Sequence, residues 1–317
     1  MAMPIPLGSA ARMAMRLTVR ARSIRKVLVV VAFAGGVALL TPAPALAAEA
    51  PEVTKATRGV PYRGEARIRV QTVPEGKVHL ERRSGDRWRF VRRAVADSDG
   101  EVKIVGWNLE RTATYRVTRA GLASEEFRIQ VRAGLNMIVS PGHILSGKPV
   151  ELRGSLLPAV PGRRVELQER RRGRWRPLRT VPVSGGSFTT TFVPDSTGPG
   201  VVRARFAGDE VNTKRINFAV MTIFQRTVAT WYGPGFFGNG TACGQVYTDQ
   251  ILGVAHRALP CGTNVTFFYN GIVLTIPVID RGPYSDADWD LSAEAARRLG
   301  FSGKQEIGVL MATEPGE

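Results

Sequence analysis

The chain has 317 residues, a length that predicts two or three domains because one hydrophobic core seldom grows beyond about 250 residues. Its net charge of +17 is uneven, with +14 over residues 48–225 and −3 over residues 226–317. A basic middle and a mildly acidic end imply different functions. The two cysteines and three histidines lack zinc-site spacing, so no metal or cofactor is expected.

The N-terminus predicts a secretory signal peptide over residues 1–47. Six basic and no acidic residues precede an apolar run at 27–40, and Ala-Leu-Ala at 45–47 has the form of a cleavage site. Met15 is a second candidate start. An anchor helix is the alternative, but 14 apolar residues are fewer than the roughly 20 of a membrane span. No cysteine lies at the cleavage site, so we expect a secreted protein that is not a lipoprotein.

An internal repeat marks the basic middle region. KVHLERRSGDRWRF at 77–90 matches RVELQERRRGRWRP at 164–177 without gaps, 87 residues apart. Apolar and polar residues alternate within each copy, a period that is typical of strands. Short strands in units of about 90 residues predict two tandem β-sandwiches, at 48–133 and 134–225, that resemble bacterial immunoglobulin-like domains.

The Arg-rich runs around Trp88 and Trp175 allow three interpretations. Arg and Trp together can bind nucleic acid, but export argues against that partner. A second interpretation is a hairpin whose Trp packs on the sandwich while its Arg side chains face solvent. The third is a basic face that holds an anionic wall polymer by Coulomb attraction, which salt would weaken.

The composition changes near residue 226, where Arg becomes rare and Gly and aromatic residues become frequent. We therefore predict a domain boundary within 221–227 and a third domain over 226–317. Its predicted strands lie at 227–233, 265–269, 272–280 and 307–313. Ser292 is a candidate cap for a short helix, with Glu294 in its first turn and Gly300 as its left-handed stop. A mostly-β unit of this size predicts a small closed barrel.

Three motifs in this domain resemble a known family. They are ATWYGPGFFGNGTACG at 229–244, AHRALPCGT at 255–263, and the segment from VIDRGPY to DWDLSAEAARRLG at 278–300. In this order they resemble the rare lipoprotein A (RlpA)-like double-psi β-barrel, whose characterised members are peptidoglycan lytic transglycosylases. The first motif is also similar, more distantly, to the barrel of expansins. The resemblance implies a mainly β chain that ends in a six-stranded barrel with one or two short helices and a glycan groove.

The resemblance also implies catalytic roles for His256 and Asp280, the His of the family's AHR motif and the Asp of its DRGP motif. A third family position, usually Glu, is occupied by Gln245. An amide has no proton to donate, so Gln245 can bind a sugar but cannot be the general acid. Asp249 is the nearest carboxylate after Gln245 and is an alternative acid.

Elementary chemistry requires at least one well-placed carboxyl group. A lytic transglycosylase protonates the leaving oxygen while the muramic 6-hydroxyl attacks, so one acid/base can suffice. Asp280 ends an apolar strand and should lie at the barrel rim, where we expect it to donate the proton and then accept one from the 6-hydroxyl. The alternative is that it caps the following turn. His256 either orients Asp280 or is a structural residue bonded to the backbone. Asp290 is expected to serve the barrel or the helix start, and Arg281 to contact substrate.

Aromatic residues are the other feature that suits a glycan, since flat rings stack on sugar faces. Tyr232, Tyr247 and Tyr284 are predicted groove residues because each lies in a loop next to Gly or Pro. Trp231 is expected to be buried.

Cys243 and Cys261 flank the segment that contains Gln245 and His256. In an oxidising compartment we expect them to be paired, which would stabilise the domain by roughly 3 kcal/mol in the chain-entropy model. The alternative is a catalytic Cys243 thiol beside His256.

These observations predict a secreted, cell-wall-associated protein that binds peptidoglycan glycan strands and cleaves them to 1,6-anhydromuramyl ends. Gln245 leaves open a non-catalytic glycan binder or an expansin-like wall loosener. A wall scaffold that contacts another enzyme is a third possibility.

Overall fold

The computed structural model describes residues 49–311. The predicted signal peptide at 1–47 therefore lies outside the described residues. The described part is mainly β, as predicted, and contains one α-helix. None of its helices is long and apolar enough to cross a membrane.

The first module is a sandwich of two sheets. Strands β1, β3 and β6 form one sheet, and β2, β9, β7, β4 and β5 form the other, with β8 paired to β7. Buried side chains such as Ile68, Leu80 and Tyr115 come from both sheets and fill the core between them. The strands are β1 (Glu52–Ala56), β2 (Gly59–Val60), β3 (Arg67–Gln71), β4 (Lys77–Ser84), β5 (Arg87–Val95), β6 (Glu101–Val105), β7 (Ala113–Arg119), β8 (Leu122–Ala123) and β9 (Phe127–Val131).

The second module repeats this arrangement. Strands β10, β12 and β15 form one sheet, and β14, β13, β16 and β17 form the other, with β11 paired to β17. Its core includes Leu152, Leu167 and Phe188. The strands are β10 (Gly134–Ser140), β11 (His143–Leu145), β12 (Val150–Leu157), β13 (Arg164–Arg171), β14 (Arg174–Pro182), β15 (Ser187–Phe192), β16 (Gly198–Gly208) and β17 (Thr213–Trp231).

Both copies of the sequence repeat form the same hairpin, β4 with β5 and β13 with β14. The guanidinium of Arg116 lies 4.3 Å from the ring centre of Trp88, and that of Arg203 lies 4.0 Å from Trp175. These residues are themselves 87 positions apart. Each Trp is half-buried under an Arg from the next strand but one in the sheet, in agreement with the hairpin interpretation.

Strand β17 runs without a break from the second module into the C-terminal barrel. It pairs with β16 as far as Ile223 and with β22 from Gln225 onward. The predicted boundary at 221–227 thus falls inside a continuous strand and not in a linker. The composition changes there because the strand exchanges one set of neighbours for another.

The barrel is a closed ring of six strands. Following the hydrogen bonds, β17 pairs with β21, β21 with β18, β18 with β20, β20 with β19, β19 with β22, and β22 with β17 again. Val265, Phe267 and Ile276 are among the residues that fill its interior. The remaining elements are β18 (Val254–Ala255), β19 (Asn264–Tyr269), β20 (Ile272–Asp280), β21 (Trp289–Leu291), α1 (Ala293–Leu299), β22 (Gln305–Met311) and a 3₁₀ turn at Pro234–Phe236.

Helix α1 begins and ends as its sequence predicts. The Ser292 hydroxyl accepts the N–H of Ala295, which would otherwise lack a helical partner. Glu294 lies in the first turn, and Gly300 closes the helix at φ +65°, a conformation that favours glycine.

Candidate active site

Two carboxylates lie in one row across neighbouring barrel strands. Ala255 of β18 pairs with Asp280 of β20 on one side and with Asp290 of β21 on the other, and Asp290 pairs with Thr230 of β17. Directly paired residues point to the same face of a sheet. The strand spacing puts the two Asp Cα atoms about 10 Å apart, with Ala255 between them in the row.

This row faces outward from the barrel. The neighbouring row, which includes Val254, Val278 and Leu291, is buried in the barrel core. Successive residues of a strand point to opposite faces, so the residues that follow Val254 and precede Leu291 point away from that core. Asp280 joins this row through a register shift in the pairing of β18 with β20. Both carboxylate residues are partly exposed and can meet a ligand.

Asp280 ties a loop to the barrel. Its Oδ1 accepts the main-chain N–H of Arg281 and that of Ala242, each at 2.8 Å. The first of these bonds is the turn-capping role considered from sequence. The second comes from the loop that carries Gln245. Together they hold the carboxylate of Asp280 in one orientation.

Both carboxylate residues are half-buried, and the pKa of Asp290 is shifted. Burial raises the pKa of its carboxyl, the hydrogen bond from Thr230 opposes that rise, and the charge of Asp280 adds to it. The Thr230 hydroxyl donates to Oδ1 at 2.8 Å. Sequence reasoning assigned Asp290 to the barrel or the helix start. The alternation Trp289-Asp290-Leu291 was the signal that could have placed it on the outer face.

Tyr232 and Tyr247 do not line a groove, contrary to the prediction. Their rings stack with centres 4.3 Å apart, and they form a small buried cluster with Ala255. Tyr247 is only 2% exposed. Its hydroxyl donates to the main-chain oxygen of Tyr232 at 2.7 Å and accepts the N–H of Ala293 at 2.9 Å. Both rings pack over Ala255 on the outer face of the barrel, where its small side chain leaves space for them.

The Tyr232 hydroxyl is buried and has no hydrogen-bond partner within residues 49–311. Burial raises its pKa, and the charges of Asp280, Tyr247 and Asp290 raise it further. A neutral phenol therefore lies near both carboxylates.

Exposed aromatic rings of the barrel domain include Tyr284, Trp231, Phe236 and Phe237. Tyr284 is 90% exposed, and its place in a glycan groove stays a prediction. Trp231 is 39% exposed, contrary to the expectation that it is buried. Its ring lies over Gly233, where an added Cβ would come within 2.5 Å of Trp231 Cζ3. Because Gly233 has no side chain, the Trp231 indole can pack against its main chain.

Gln245 is exposed on a short, well-anchored loop. Its main-chain oxygen accepts the N–H of Thr241 at 2.7 Å, and its N–H donates to the Thr241 hydroxyl at 3.1 Å. Cys243 and Cys261 form the predicted disulfide, which excludes a catalytic thiol. The amide side chain of Gln245 is thus presented from a rigid backbone.

The structure does not bring the His256 imidazole to the Asp280 carboxylate. Within the described residues, the hydrogen bond between them joins main-chain atoms, His256 N to Asp280 O at 3.1 Å. The ring packs on Trp289, with centres 4.4 Å apart. Because His256 follows Ala255, its side chain leaves the row of carboxylates.

The ring of His256 serves the backbone, the alternative considered from sequence. Nδ1 accepts the N–H of Ala258 at 3.1 Å and that of Leu259 at 2.9 Å. Burial lowers the pKa of His256, and the charges of Arg257 and Arg281 lower it further. A neutral ring with its proton on Nε2 satisfies these contacts.

Comparisons with known proteins show what the C-terminal part of this chain is similar to. Residues 225–311 match a family described as lytic transglycolase. Similar proteins are the probable endolytic peptidoglycan transglycosylase RlpA of Synechocystis, 46% identical over 77 residues, and the endolytic peptidoglycan transglycosylase RlpA of Campylobacter jejuni, 41% identical over 75. Each match covers 23% of this chain and 24% or 27% of the relative.

The class that fold and site define is therefore the double-psi β-barrel. More particularly, residues 225–311 form an RlpA-like barrel. The chain spans about a quarter of the length of these relatives, and the matches lie in the C-terminal domain. The immunoglobulin-like character of the two upstream sandwiches stays a prediction.

Proposed function

We propose that the barrel cleaves the glycan strands of peptidoglycan as a lytic transglycosylase. The observation that carries this proposal is the pair of outward carboxylates, Asp280 and Asp290, separated by the small Ala255. The printed names of the similar proteins support the substrate class. Because this substrate lies outside the cytoplasm, we also infer export and location at the cell wall.

Asp290 is the proton donor in this mechanism. A carboxyl with a raised pKa stays protonated at higher pH, as a general acid requires. It delivers its proton to the glycosidic oxygen while the muramic 6-hydroxyl attacks the anomeric carbon. Asp280, held by two main-chain N–H groups, accepts the hydroxyl proton. No water is consumed, and the product ends in a 1,6-anhydro ring.

With Asp290 as the proton donor, the mechanism does not need an acid at Gln245. The family position that usually holds Glu lies on the loop tied to Asp280, and its amide can still bond a sugar hydroxyl. Tyr284 and Trp231 are exposed enough to stack on sugars. Arg281, half-buried beside Asp280, is a further candidate contact.

The test is digestion of peptide-stripped glycan strands by the full chain, followed by mass analysis of the ends. Wild type should form anhydromuramyl ends, and Asp290→Asn and Asp280→Asn should each lower the rate by at least a hundredfold, the scale of general acid–base catalysis. Asp288→Asn, the same change two residues away, is the matched control. Intact strands at high wild-type concentration, or normal cleavage by Asp290→Asn, would refute the mechanism.

A non-catalytic glycan binder or expansin-like wall loosener is the second candidate, favoured by the amide at Gln245. It predicts binding of stripped strands without new chain ends. The variant Gln245→Glu separates the two functions. Cleavage by this variant alone would identify the natural chain as a binder.

The basic modules supply a separate proposed partner. Their net charge and exposed Arg side chains suit an anionic wall polymer. Such binding would weaken steeply as salt is added.

A further inference from the structure

A basic cavity of about 520 Å³ lies in the first module and shares no residue with the barrel site. Arg82 and Arg83 of β4 line it, together with Arg111 from the loop before β7. Trp107 of the same loop and Tyr115 of β7 also contribute. The cavity therefore combines guanidinium groups with aromatic surface.

Most of its positive charge is uncompensated. The acid that lines the cavity, Glu110, is engaged by Arg63 at 3.0 Å and by the Tyr62 hydroxyl at 3.2 Å. Glu126 pairs with Arg83 at 3.5 Å. Among the ion pairs of residues 49–311, neither Arg82 nor Arg111 has an acidic partner.

The second module offers an internal comparison. In the first module Arg82 of β4 pairs with Tyr115 of β7. The residues 87 positions later, Glu169 of β13 and Val202 of β16, pair in the same way. An acid thus occupies the place of Arg82 in the second module. The aromatic ring of Tyr115 is also replaced, by an aliphatic side chain.

In the second module the charged side chains at the corresponding positions form ion pairs with one another. Arg171, at the position of Ser84, forms ion pairs with both Glu169 and Asp195. Asp195 lies in the loop before β16, where the first module has Asn108. Two copies of one fold have thus diverged, one into closed ion pairs and the other into an open cationic cavity.

We propose that this cavity binds an oxyanion carried by a polyhydroxylated wall polymer. Guanidinium groups match phosphate and carboxylate oxygens. Trp107, Ser84 and Asn108, which also line the cavity, suit the apolar faces and hydroxyls of the carrier chain. The proposal deepens the suggested partner of the basic modules, assigns it to the first module, and does not depend on cleavage by the barrel.

The experiment measures binding of the full chain to poly(glycerol phosphate), polyglucuronate and neutral dextran at fixed ionic strength. Arg82→Glu and Arg111→Glu should each weaken binding of the anionic polymer at least tenfold, since a charge-assisted hydrogen bond is lost and a repulsion gained. Arg174→Glu, the same charge change at an exposed position of the second module, should alter affinity less than threefold. Thermal unfolding verifies that each variant is folded.

The anionic probe that binds identifies the source of the oxyanion, phosphodiester or carboxylate. Equal losses for Arg82→Glu, Arg111→Glu and Arg174→Glu would overturn the proposal in favour of diffuse attraction to the whole basic surface. Absence of binding to either anionic polymer, or binding to dextran alone, would overturn it as well. Glycan cleavage is measured separately, so failure here leaves the proposed barrel chemistry intact.

Discussion

At the residue scale, small differences in local environment give similar side chains different roles. Asp280 and Asp290 flank the same alanine and are both half-buried, but main-chain N–H groups hold the former while the Thr230 hydroxyl donates to the latter. Tyr232 and Tyr247 stack together, but within residues 49–311 only the Tyr247 hydroxyl has hydrogen-bond partners. These contrasts supply matched pairs of variants.

The raised pKa of Asp290 predicts a pH-dependent stability. The folded state binds its proton more tightly than the unfolded chain, so the carboxyl lowers stability as pH rises above its ordinary pKa near 4. Asp290→Asn removes this titration. The unfolding free energy of the variant minus that of wild type should therefore be larger at pH 7 than at pH 3. Denaturant unfolding at both values measures this difference. A constant difference between the two pH values would contradict the assignment.

The two tyrosine hydroxyls predict opposite outcomes. Tyr247→Phe leaves a buried carbonyl and a buried N–H without their partner, which should cost about 1–3 kcal/mol of unfolding free energy. Tyr232→Phe removes a hydroxyl that has no partner in the described residues and should cost less than about 0.5 kcal/mol. Urea unfolding of both variants tests the contrast, which equal losses would refute.

At the element scale, the site depends on how strands and loops are anchored. The row of Asp280, Ala255, Asp290 and Thr230 exists because four strands pair at these positions, with a register shift between β18 and β20. The loop with Gln245 is held by the disulfide and by Asp280. Helix α1 is held at Ser292.

Ser292 predicts a large effect for a small substitution. Its hydroxyl oxygen is fully buried and accepts N–H bonds from Ala295 and Gly253, each at 3.2 Å. Ser292→Ala should lower the unfolding free energy by about 1–2 kcal/mol. Ser302→Ala, at an exposed position, is the matched control. Similar stability of both variants would show that the cap contributes nothing.

The disulfide predicts a loss of stability on removal. The double substitution Cys243→Ala and Cys261→Ala opens a loop whose ends are 18 positions apart in sequence. It should lower the unfolding free energy by about 3 kcal/mol in the chain-entropy model. Calorimetry of this variant against wild type measures the loss. An unchanged melting temperature would show that other contacts already fix the loop.

At the scale of the whole molecule, β17 couples the second module to the barrel. Phe224, at the crossing point, stacks on Phe268 of β19 with ring centres 5.1 Å apart. A strand shared by two sheets transmits the unfolding of one to the other. The module and the barrel should therefore unfold together.

Insertion of a short Gly-Ser segment between Phe224 and Gln225 should break this coupling. We expect one calorimetric transition for these two domains in wild type and two in the variant, because each core then melts independently. The same insertion at the Gly185-Gly186 turn is the control and should leave the transitions joined. Two transitions already present in wild type would contradict the coupling.

Much of the fold was accessible from sequence because its signals are local. The apolar segment IVLTIPVID predicted the strand at 272–280, which the structure reproduces residue for residue. The cap, acid and glycine of α1 were also correct, as was the disulfide. Each of these depends on near neighbours or on the only available partner.

The site itself was decided by tertiary structure. Strand register across three separate segments brings Asp290 to Asp280 and turns His256 away. The space over Ala255 lets Tyr232 and Tyr247 stack against the outer face of the barrel. Sequence alone determined which residues could do chemistry and which strand carries Asp280, but it did not predict the short strands β18 and β21. Only the closure of the barrel decided which of them meet, because contacts between distant strands depend on register and face, which no single strand encodes.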